Sequence, residues 1–426
     1  MARYSDYKDS GVQWLGQIPS HWEVSKVGYL FDHCTGKALK ESDTNGTLMP
    51  YITTSNVYWD SFVLDNLKQM YFRDQEAEKC TVKKGDLLIC EGGDVGRAAI
   101  WESDSSIMIQ NHLHKLRPFK DIVVRYYFYF IFMAKHLGVF TYAANGVGIQ
   151  GLSSKALHNV RLAVPPLEEQ EGIVAYLDEK CGKLDKLVAA KERKIALLGE
   201  MKQRLISDAV TRGLNPAAPL KATTIPWLPQ VPAHWDVTTL RKFLSLFVEK
   251  GHGDKQLLSV TREQGVIERN ADSKEENHNF IPEDLSGYKY VQVGDFVINK
   301  MKSWQGSYGV SKYEGIVSPA YFTCKLQGVD KEFFSTAIRS KVYVSFFAQY
   351  SKGIRVDQWD LSPISLKSIP FLLPPVEEQR EIVAYIDERV EKVDALVAKL
   401  RAEIEHIKEY KQRLISDVVT GQVKVC

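Results

Sequence analysis

The pair of side chains most suggestive of a metal site is His112 and His114, two positions apart in a 426-residue chain. Imidazole nitrogens at such a spacing can ligate a transition metal. The chain contains a second copy of the surrounding pattern, and there Pro319, Ala320 and Tyr321 take their place. We therefore expect no metal site common to both copies and predict no bound metal.

Glycine-rich segments could instead hold phosphate groups, but none has the required spacing. Residues 92–96 (Gly-Gly-Asp-Val-Gly) lack the spacing of a dinucleotide-binding loop and are interpreted as a turn. Gly36-Lys37 lacks the upstream glycine of an ATP-binding loop, and Asn-Pro-Ala at 215–217 is not the Asn-Pro-Pro-aromatic motif of an adenine methyltransferase. Since no nucleophile stands in a pattern with a base, we predict no catalytic residues in this chain.

Composition is that of an ordinary globular protein and leaves the function open. Hydrophobic residues make up 44% and charged residues 25%, and a net charge of +2 neither indicates nor excludes a nucleic-acid partner. Six cysteines without a Cys-x-x-Cys pair argue against a disulfide framework or a zinc ribbon. The N-terminal residues lack the apolar stretch of a signal peptide, and no apolar run could span a bilayer, so we expect a cytoplasmic protein with no membrane partner.

The chain is an internal duplication. Its opening motif, Trp-Leu-Gly-Gln-Ile-Pro-Ser-His-Trp-Glu-Val at 14–24, returns as Trp-Leu-Pro-Gln-Val-Pro-Ala-His-Trp-Asp-Val at 227–237. Two shorter motifs return at an offset of 209 residues: Gly85-Asp86 as Gly294-Asp295, and Pro-Pro-Leu-Glu-Glu-Gln at 165–170 as Pro-Pro-Val-Glu-Glu-Gln at 374–379. Residues 40–80 and 250–290 share little. The frame is thus repeated while the interior of each copy differs.

Each copy ends in about 40 residues without proline, closing on a shared Lys-Gln-Arg-Leu-Ile-Ser-Asp at 202–208 and 411–417. Acidic residues directly after the Pro-Pro pair suit a helix N-terminus. We therefore predict two helices of roughly 60 Å at 1.5 Å per residue.

Apolar residues recur every seven positions along both segments, which predicts a coiled coil in which the two helices pack on each other. The first stripe, interrupted by Lys191, is Leu177, Leu184, Leu198 and Leu205 in one helix and Ile386, Val393, Leu400, Ile407 and Leu414 in the other. The neighbouring stripe is Leu187 with Met201, or Val188 with Ile195, in the first helix, and Leu396 with Tyr410 in the second.

Outside these helices, short apolar runs between glycine and asparagine turns predict mixed α/β domains with an irregular, loop-rich sheet. Residues 124–140 and 331–349 are predicted to be helices. The predicted organisation is a first domain at 1–165, a central long helix at 166–212, a second domain at 213–374 and a C-terminal long helix at 375–426.

Taken together, the opening motif, the Gly-Asp turn and the Pro-Pro-x-Glu-Glu-Gln helix, all repeated, resemble the DNA-specificity subunit of type I restriction-modification enzymes. The resemblance covers essentially the whole chain, and its most specific part is the pair of terminal helix motifs. It implies two target-recognition domains separated by an antiparallel coiled coil of the two long helices, arranged as a tandem repeat with a pseudo-two-fold axis.

The resemblance also implies the partners. The chain would bind double-stranded DNA and dock two modification subunits, which methylate adenine using S-adenosylmethionine, while doing no chemistry itself. Two restriction subunits can join such a complex and cleave unmodified DNA, with Mg²⁺ and ATP-driven translocation. These cofactors would belong to the partner subunits and none to this chain.

Two similar domains at a fixed separation can read two half-sites, as dimeric DNA-binding proteins do. Because the interiors of the two copies differ, the half-sites are expected to differ. The predicted target is therefore bipartite and asymmetric.

Base reading needs Arg, Lys, Asn or Gln side chains on exposed loops, and phosphate contacts need well-placed cations. The segment 300–305 combines two cations, an aromatic ring and an amide. The candidate DNA-binding residues are Ser55, Asn56, Arg97, Asn145 and Gln150 in the first domain, and Thr261, Arg262, Lys300, Lys302, Trp304, Gln305, Arg355 and Gln358 in the second.

Each of these residues could instead be an ordinary solvated loop residue. Two other classes of protein also stay open: a coiled-coil scaffold that presents two protein-binding domains without DNA, and an enzyme with an unrecognised site. The basic and aromatic character of 300–305 argues against the scaffold, and the missing motifs argue against the enzyme.

Overall fold

The structure, a computed structural model, describes residues 2–40, 42–140, 151–269, 284–353 and 359–425. Its contacts divide the chain into two compact units. Unit 1 comprises Met1–Lys191 and Arg401–Cys426, and unit 2 comprises Glu192–Leu400. Each unit therefore contains one globular part together with a segment of each long helix.

The elements from the N-terminus to the first long helix are β1 Tyr7–Asp9, β2 Gln17–Pro19, β3 Glu23–Lys26, α1 Val27–Leu30, β4 Phe31–Thr35, β5 Thr47–Ile52, the 3-10 turn η1 Thr54–Asn56, β6 Val57–Tyr58, β7 Ser61–Phe62, β8 Lys68–Phe72, α2 Asp74–Cys80, β9 Thr81–Val82, β10 Leu87–Cys90, β11 Ala98–Ile100, β12 Ile107–Ile109, β13 Leu113–Pro118, α3 Val124–His136, α4 Ser154–Asn159, β14 Arg161–Val164 and α5 Leu167–Arg212.

Unit 1 is built on two four-stranded sheets. One has the order β11-β10-β13-β4 and is antiparallel throughout, and the other has the order β8-β5-β12-β9 with β5 and β12 parallel. Helix α3 is mostly buried and packs its aromatic residues into the core beside Trp22 and Leu177. The α/β architecture predicted from the sequence is confirmed for this unit.

The remaining elements are β15 Leu220–Ala222, β16 Gln230–Pro232, β17 Asp236–Thr239, η2 Leu240–Lys242, β18 Leu244–Phe247, β19 Leu258–Thr261, β20 Gly265–Glu268, β21 Lys289–Val291, β22 Phe296–Ile298, η3 Ser303–Gln305, β23 Tyr308–Val310, β24 Gly315–Val317, β25 Phe322–Leu326, α6 Lys331–Ile338, α7 Lys341–Tyr350, α8 Pro363–Ser368, β26 Pro370–Leu373 and α9 Val376–Val419.

Unit 2 has one four-stranded antiparallel sheet of order β18-β25-β22-β23, flanked by two-stranded ladders. The single helix predicted for 331–349 is in fact two, α6 and α7. The backbone of Ser340 is extended (φ −65°, ψ 154°), which ends one helix and starts the next. The break leaves Arg339 outside both helices.

The first predicted stripe of the long helices is largely buried: Leu177, Ile386, Val393, Leu400 and Leu414 are at most 8% exposed. The second stripe is formed by Val188 and Ile195 rather than by Leu187 and Met201 in the first helix, and the prediction of Leu396 and Tyr410 in the second helix is wrong. Four residues at second-stripe positions are exposed: Leu187 (46%), Met201 (50%), Leu396 (36%) and Tyr410 (51%). The residues that lie four positions after a first-stripe position are less exposed: Ile404 is buried, and Val188, Ile195 and Val397 are half-buried. The physical reason is that a spacing of four residues is about one helix turn and keeps a side chain on the same face as the first stripe.

Ion pairs join α5 and α9 inside each unit at equivalent positions. In unit 1, Lys411 Nζ lies 2.7 Å from Asp185, and in unit 2, Lys202 Nζ lies 2.7 Å from Asp394. Lys202 and Lys411 are equivalent at the 209-residue offset, and so are Asp185 and Asp394, so the lysine comes from α9 in unit 1 and from α5 in unit 2. Lys191, which interrupts the first stripe, points its ammonium at Glu403 (2.5 Å).

Among the residues described by the structure, no helix combines the length and apolar character needed to cross a membrane.

Candidate nucleic-acid interface

The repeated motifs contact one another inside each unit. Glu169, near the start of α5, accepts hydrogen bonds from the indole of Trp22 (3.0 Å) and from Tyr4 (2.7 Å), and lies 2.6 Å from a ring nitrogen of His21. Burial opposes ionisation of this carboxyl, but these hydrogen bonds outweigh it and lower the pKa of Glu169. The opening motif is thereby fastened to the helix start.

Unit 2 repeats this arrangement with its own residues. Glu378 Oε2 accepts from the Trp235 indole at 3.0 Å and lies 2.7 Å from His234 Nε2. The glutamines that follow are also equivalent: Gln170 and Gln379 are buried, and each donates to the carbonyl of the first proline of its own motif. The side chains of these motif residues thus form hydrogen bonds that stabilise the fold of each unit.

The Gly-Asp motif forms a tight turn that aims the next strand. Gly85 and Gly294 have φ of +89° and +92°, a region that side chains other than glycine rarely adopt. The buried carboxylate of Asp86 accepts the backbone N–H of Lys83 and two hydrogen bonds from Arg117 (2.7 and 2.6 Å).

Asp295 accepts the backbone N–H of Gln292 and the ammonium of Lys325 (3.0 Å) in the same way. Each turn therefore supports a strand, β10 or β22, and the loop that follows it. We name residues 91–97 and 299–307 the post-turn loops of units 1 and 2.

Three candidates of unit 1 lie together at its post-turn loop. Arg97 Nη2 donates to the carbonyl of Thr54 (2.7 Å) in η1, the turn that also carries Ser55 and Asn56. The guanidinium also lies 5.4 Å from the Tyr58 ring centroid, and its Nε is buried without a partner among the described residues.

The side chains of the three candidates differ in how far they are already used in contacts within the protein. Asn56 is used internally, since its side chain accepts from Thr53 and donates to the carbonyl of Val63 (2.9 Å). Ser55 is exposed, and its hydroxyl lies 2.7 Å from that of Thr53. Arg97 positions η1, so Ser55 is the candidate of this group with the most open side chain.

The post-turn loop of unit 2 holds four candidates. Lys302 is exposed, and no ion pair joins it to another described residue. Lys300 is half-buried and pairs with Asp360 (3.1 Å). Trp304 packs at 5.2 Å, centroid to centroid, on Trp359, and Gln305 lies beside it in η3, half-buried.

Thr261 and Arg262 lie at the turn of the β19–β20 hairpin. The Thr261 hydroxyl closes the turn, because it donates to Gly265 O (3.2 Å) and accepts from the backbone N–H of Gln264 (3.1 Å). Arg262 is exposed and lies 3.1 Å from the carboxylate of Glu263. The sequence-based choice therefore mixed a turn-closing residue with an exposed cation.

The remaining candidates, Asn145, Gln150, Arg355 and Gln358, lie outside the described residues.

Sequence reasoning missed two cations near the unit 2 candidates, Lys289 and Arg339. Lys289 donates to Tyr321 O (2.5 Å), and its pKa is lowered by burial and by the nearby charges of Lys250 and Lys300. Arg339 donates to backbone carbonyls in the β19–β20 hairpin and at the end of the post-turn loop of unit 2. Lys289 sits between aromatic residues in Tyr-Lys-Tyr at 288–290, a local pattern that could have suggested it.

The two histidines considered as metal ligands lie in different surroundings. His112 is exposed and lies 3.4 Å from Glu91, whereas His114 is buried between His33 (3.0 Å) and Leu152 O (2.7 Å). Within the described ranges, no three His, Cys, Asp or Glu side chains are grouped to hold a metal ion.

Comparisons with known proteins agree with this architecture. Residues 19–197 match the family model described as the type I restriction modification DNA specificity domain. The type I restriction enzyme MjaVIII specificity subunit of Methanocaldococcus jannaschii is 23% identical over 96% of this chain and 94% of its own length. The EcoBI specificity subunit of Escherichia coli is 22% identical over 97% and 89%.

A solved structure from work on complex assembly and conformational transition of the type I R-M system has the same fold. It gives a TM-score of 0.66 at 14% identity and covers 95% of this chain and 99% of its own. The fold is therefore one found in restriction-modification systems. Residues 19–197 thus match the DNA specificity domain, and nearly the whole chain is similar to type I restriction enzyme specificity subunits, the family that its repeated motifs resemble.

Proposed function

We propose that each unit reads one half of a bipartite, asymmetric DNA site. The observation that carries this proposal is the contrast within the repeat. Both units use equivalent residues for the anchor of the opening motif and for the Gly-Asp turn, yet the post-turn loops that these features support differ in sequence. A common frame with unlike loops suits two reading surfaces of different specificity.

The two long helices set the spacing between the half-sites by packing as an antiparallel coiled coil with pseudo-two-fold symmetry. The equivalent ion pairs Lys411–Asp185 and Lys202–Asp394 support this arrangement, since each joins the helices in opposite chain directions inside its own unit. The chain does no chemistry itself. S-adenosylmethionine, and Mg²⁺ and ATP where restriction subunits join, belong to the partner subunits in the cytoplasm.

The helices also dock two copies of the modification subunit. Leu187 and Tyr410 are exposed in unit 1, and their repeat equivalents, Leu396 and Met201, are exposed in unit 2. Each unit thus offers one exposed apolar side chain from each helix at matching positions. Equivalent apolar patches suit two identical partners, because interface cores are enriched in aromatic, Met and other apolar side chains.

The test is to co-express the chain with the modification subunit encoded beside it, purify the complex, and measure its mass and its gel shift of DNA. We expect two modification subunits per chain. The double variant Leu187→Glu/Tyr410→Glu should retain one, because a buried charge weakens a docking surface. Leu197→Glu is the matched control, since Leu197 is 58% exposed on the same helix but its repeat equivalent is His406.

A complex that keeps both partners in the double variant would contradict the docking proposal. A wild-type complex that assembles but never binds DNA would contradict the reading proposal and favour the protein-binding scaffold.

A further inference from the structure

Each post-turn loop, 91–97 and 299–307, accepts a hydrogen bond from a cation that lies outside the loop. Both loops follow a strand that starts from the Gly-Asp turn, and both carry candidates for DNA reading. In each unit the cation comes from the helical region that follows β13 or β25 and donates to a backbone carbonyl of the loop, Val95 O in unit 1 and Gly306 O in unit 2.

In unit 1 this cation is Lys135, in the last turn of α3. Its ammonium donates to Val95 O (2.9 Å) and pairs with Asp94, two residues of the post-turn loop. It also lies 6.0 Å from the ring centroid of Trp59, which follows η1 and β6. The side chain is only 21% exposed, so solvent competes little for these contacts.

In unit 2 the cation is Arg339, at the break between α6 and α7. One guanidinium nitrogen donates to Gly306 O (3.4 Å), near the end of the post-turn loop, and to Tyr308 O (2.6 Å), in the first residue of β23. The other donates to Arg262 O (2.9 Å) and Glu263 O (2.8 Å), in the β19–β20 hairpin. A single side chain therefore fixes two candidate segments relative to each other.

Contacts to carbonyls constrain the backbone of a loop while leaving its side chains free. A loop held in this way can carry different reading residues without losing its position. Such positioning matters because bidentate base contacts depend on the geometry of both partners.

We propose that Lys135 and Arg339 are positioning residues for base reading, each acting on the half-site of its own unit alone. This inference rests on the proposed function. It adds that the two half-sites can be disturbed one at a time by residues that need not touch DNA.

The test uses the purified complex with its modification subunits and DNA libraries randomised in one half-site at a time, with methylation of each sequence as the readout. Arg339→Met should lower discrimination in one half-site by about tenfold, the scale of one good base contact. Lys135→Met should do so in the other half-site only. Each variant therefore serves as the control for the other.

Conservative variants separate positioning from simple destabilisation. Lys135→Arg should restore discrimination because it keeps a donor near Val95 O. Arg339→Lys should restore it only in part, since one ammonium lacks the planar fork that serves two segments at once. Arg161→Met, which removes an exposed contact to Gly11 O, should leave both half-sites unchanged.

The inference is overturned if either methionine variant keeps wild-type discrimination, or if both half-sites lose discrimination equally. The proposed function fails separately, when the wild-type complex itself methylates no bipartite sequence, and the inference then falls with it.

Discussion

At the scale of single residues, the second glutamate of each Pro-Pro-x-Glu-Glu-Gln motif acts as a structural anchor. Glu169 and Glu378 each accept an indole N–H from a tryptophan that is fully buried. A buried donor that loses its acceptor costs roughly 1–3 kcal/mol, more when the acceptor is charged. This requirement accounts for the presence of the same Trp and Glu in both copies.

Salt dependence distinguishes the two lysines of the unit 2 post-turn loop. Lys302→Ala should lower the slope of log K against log salt by about 0.9, the value for one phosphate contact. Lys300→Ala should change the slope less, because Lys300 already pairs with Asp360. The measurement is DNA binding by the complex across a salt series.

Lys392→Ala is the control for this series, since Lys392 is exposed on α9 and pairs with Glu388. Equal slopes in Lys302→Ala and wild type would remove Lys302 from the phosphate contacts.

Acid should destabilise unit 1 through His114. Burial lowers the pKa of His114 to about 4, with the charge of nearby His33 acting in the same direction, against an ordinary value of 6.5. The folded state therefore favours the neutral ring. Its contribution is complete above about pH 6.5 and is lost as the pH falls towards 4, by on the order of 2–3 kcal/mol.

Unfolding followed between pH 7 and pH 4 should show a smaller loss of stability in His114→Gln than in the wild type. His406→Gln, at an exposed position on α9, serves as the control. An acid sensitivity that His114→Gln leaves unchanged would refute this assignment.

At the scale of elements, the long helices are stabilised by their buried stripe more than by their ion pairs. Leu414 is 4% exposed, whereas Asp185, the partner of Lys411, keeps 59% of its side chain exposed. Leu414→Ala should therefore cost about 2–5 kcal/mol of unfolding free energy. Lys411→Ala should cost less than about 1 kcal/mol.

Denaturant unfolding of the two variants, which lie one turn apart on α9, gives the comparison. A larger loss in Lys411→Ala than in Leu414→Ala would show that charge, rather than apolar burial, dominates this segment.

At the scale of the whole molecule, the unlike loops predict an asymmetric target. Mapping of methylated adenines in DNA from cells that express the complex should return two different half-sites at one fixed separation. An inverted repeat would contradict the proposal that each unit reads its own sequence.

The sequence alone determined the duplication, the α/β class, the long helices and the likeness to type I specificity subunits. These features come from local patterns: seven-residue periodicity, proline and glycine at element ends, and motifs returning at a nearly constant offset. The same patterns placed the candidate residues in loops, at 53–56, directly after the 92–96 turn and at 300–305, because polar and glycine-rich segments indicate loops without any tertiary information.

Only the tertiary structure decided what the individual residues do. Asn56 and Thr261 proved to close turns, and the choice between Val188 and Leu187 for the buried stripe was settled by packing. Arg339 had no sequence signal at all. Its role depends on carbonyls more than 30 residues away along the chain, and backbone acceptors are the same for every residue type, so no spacing or composition could indicate them.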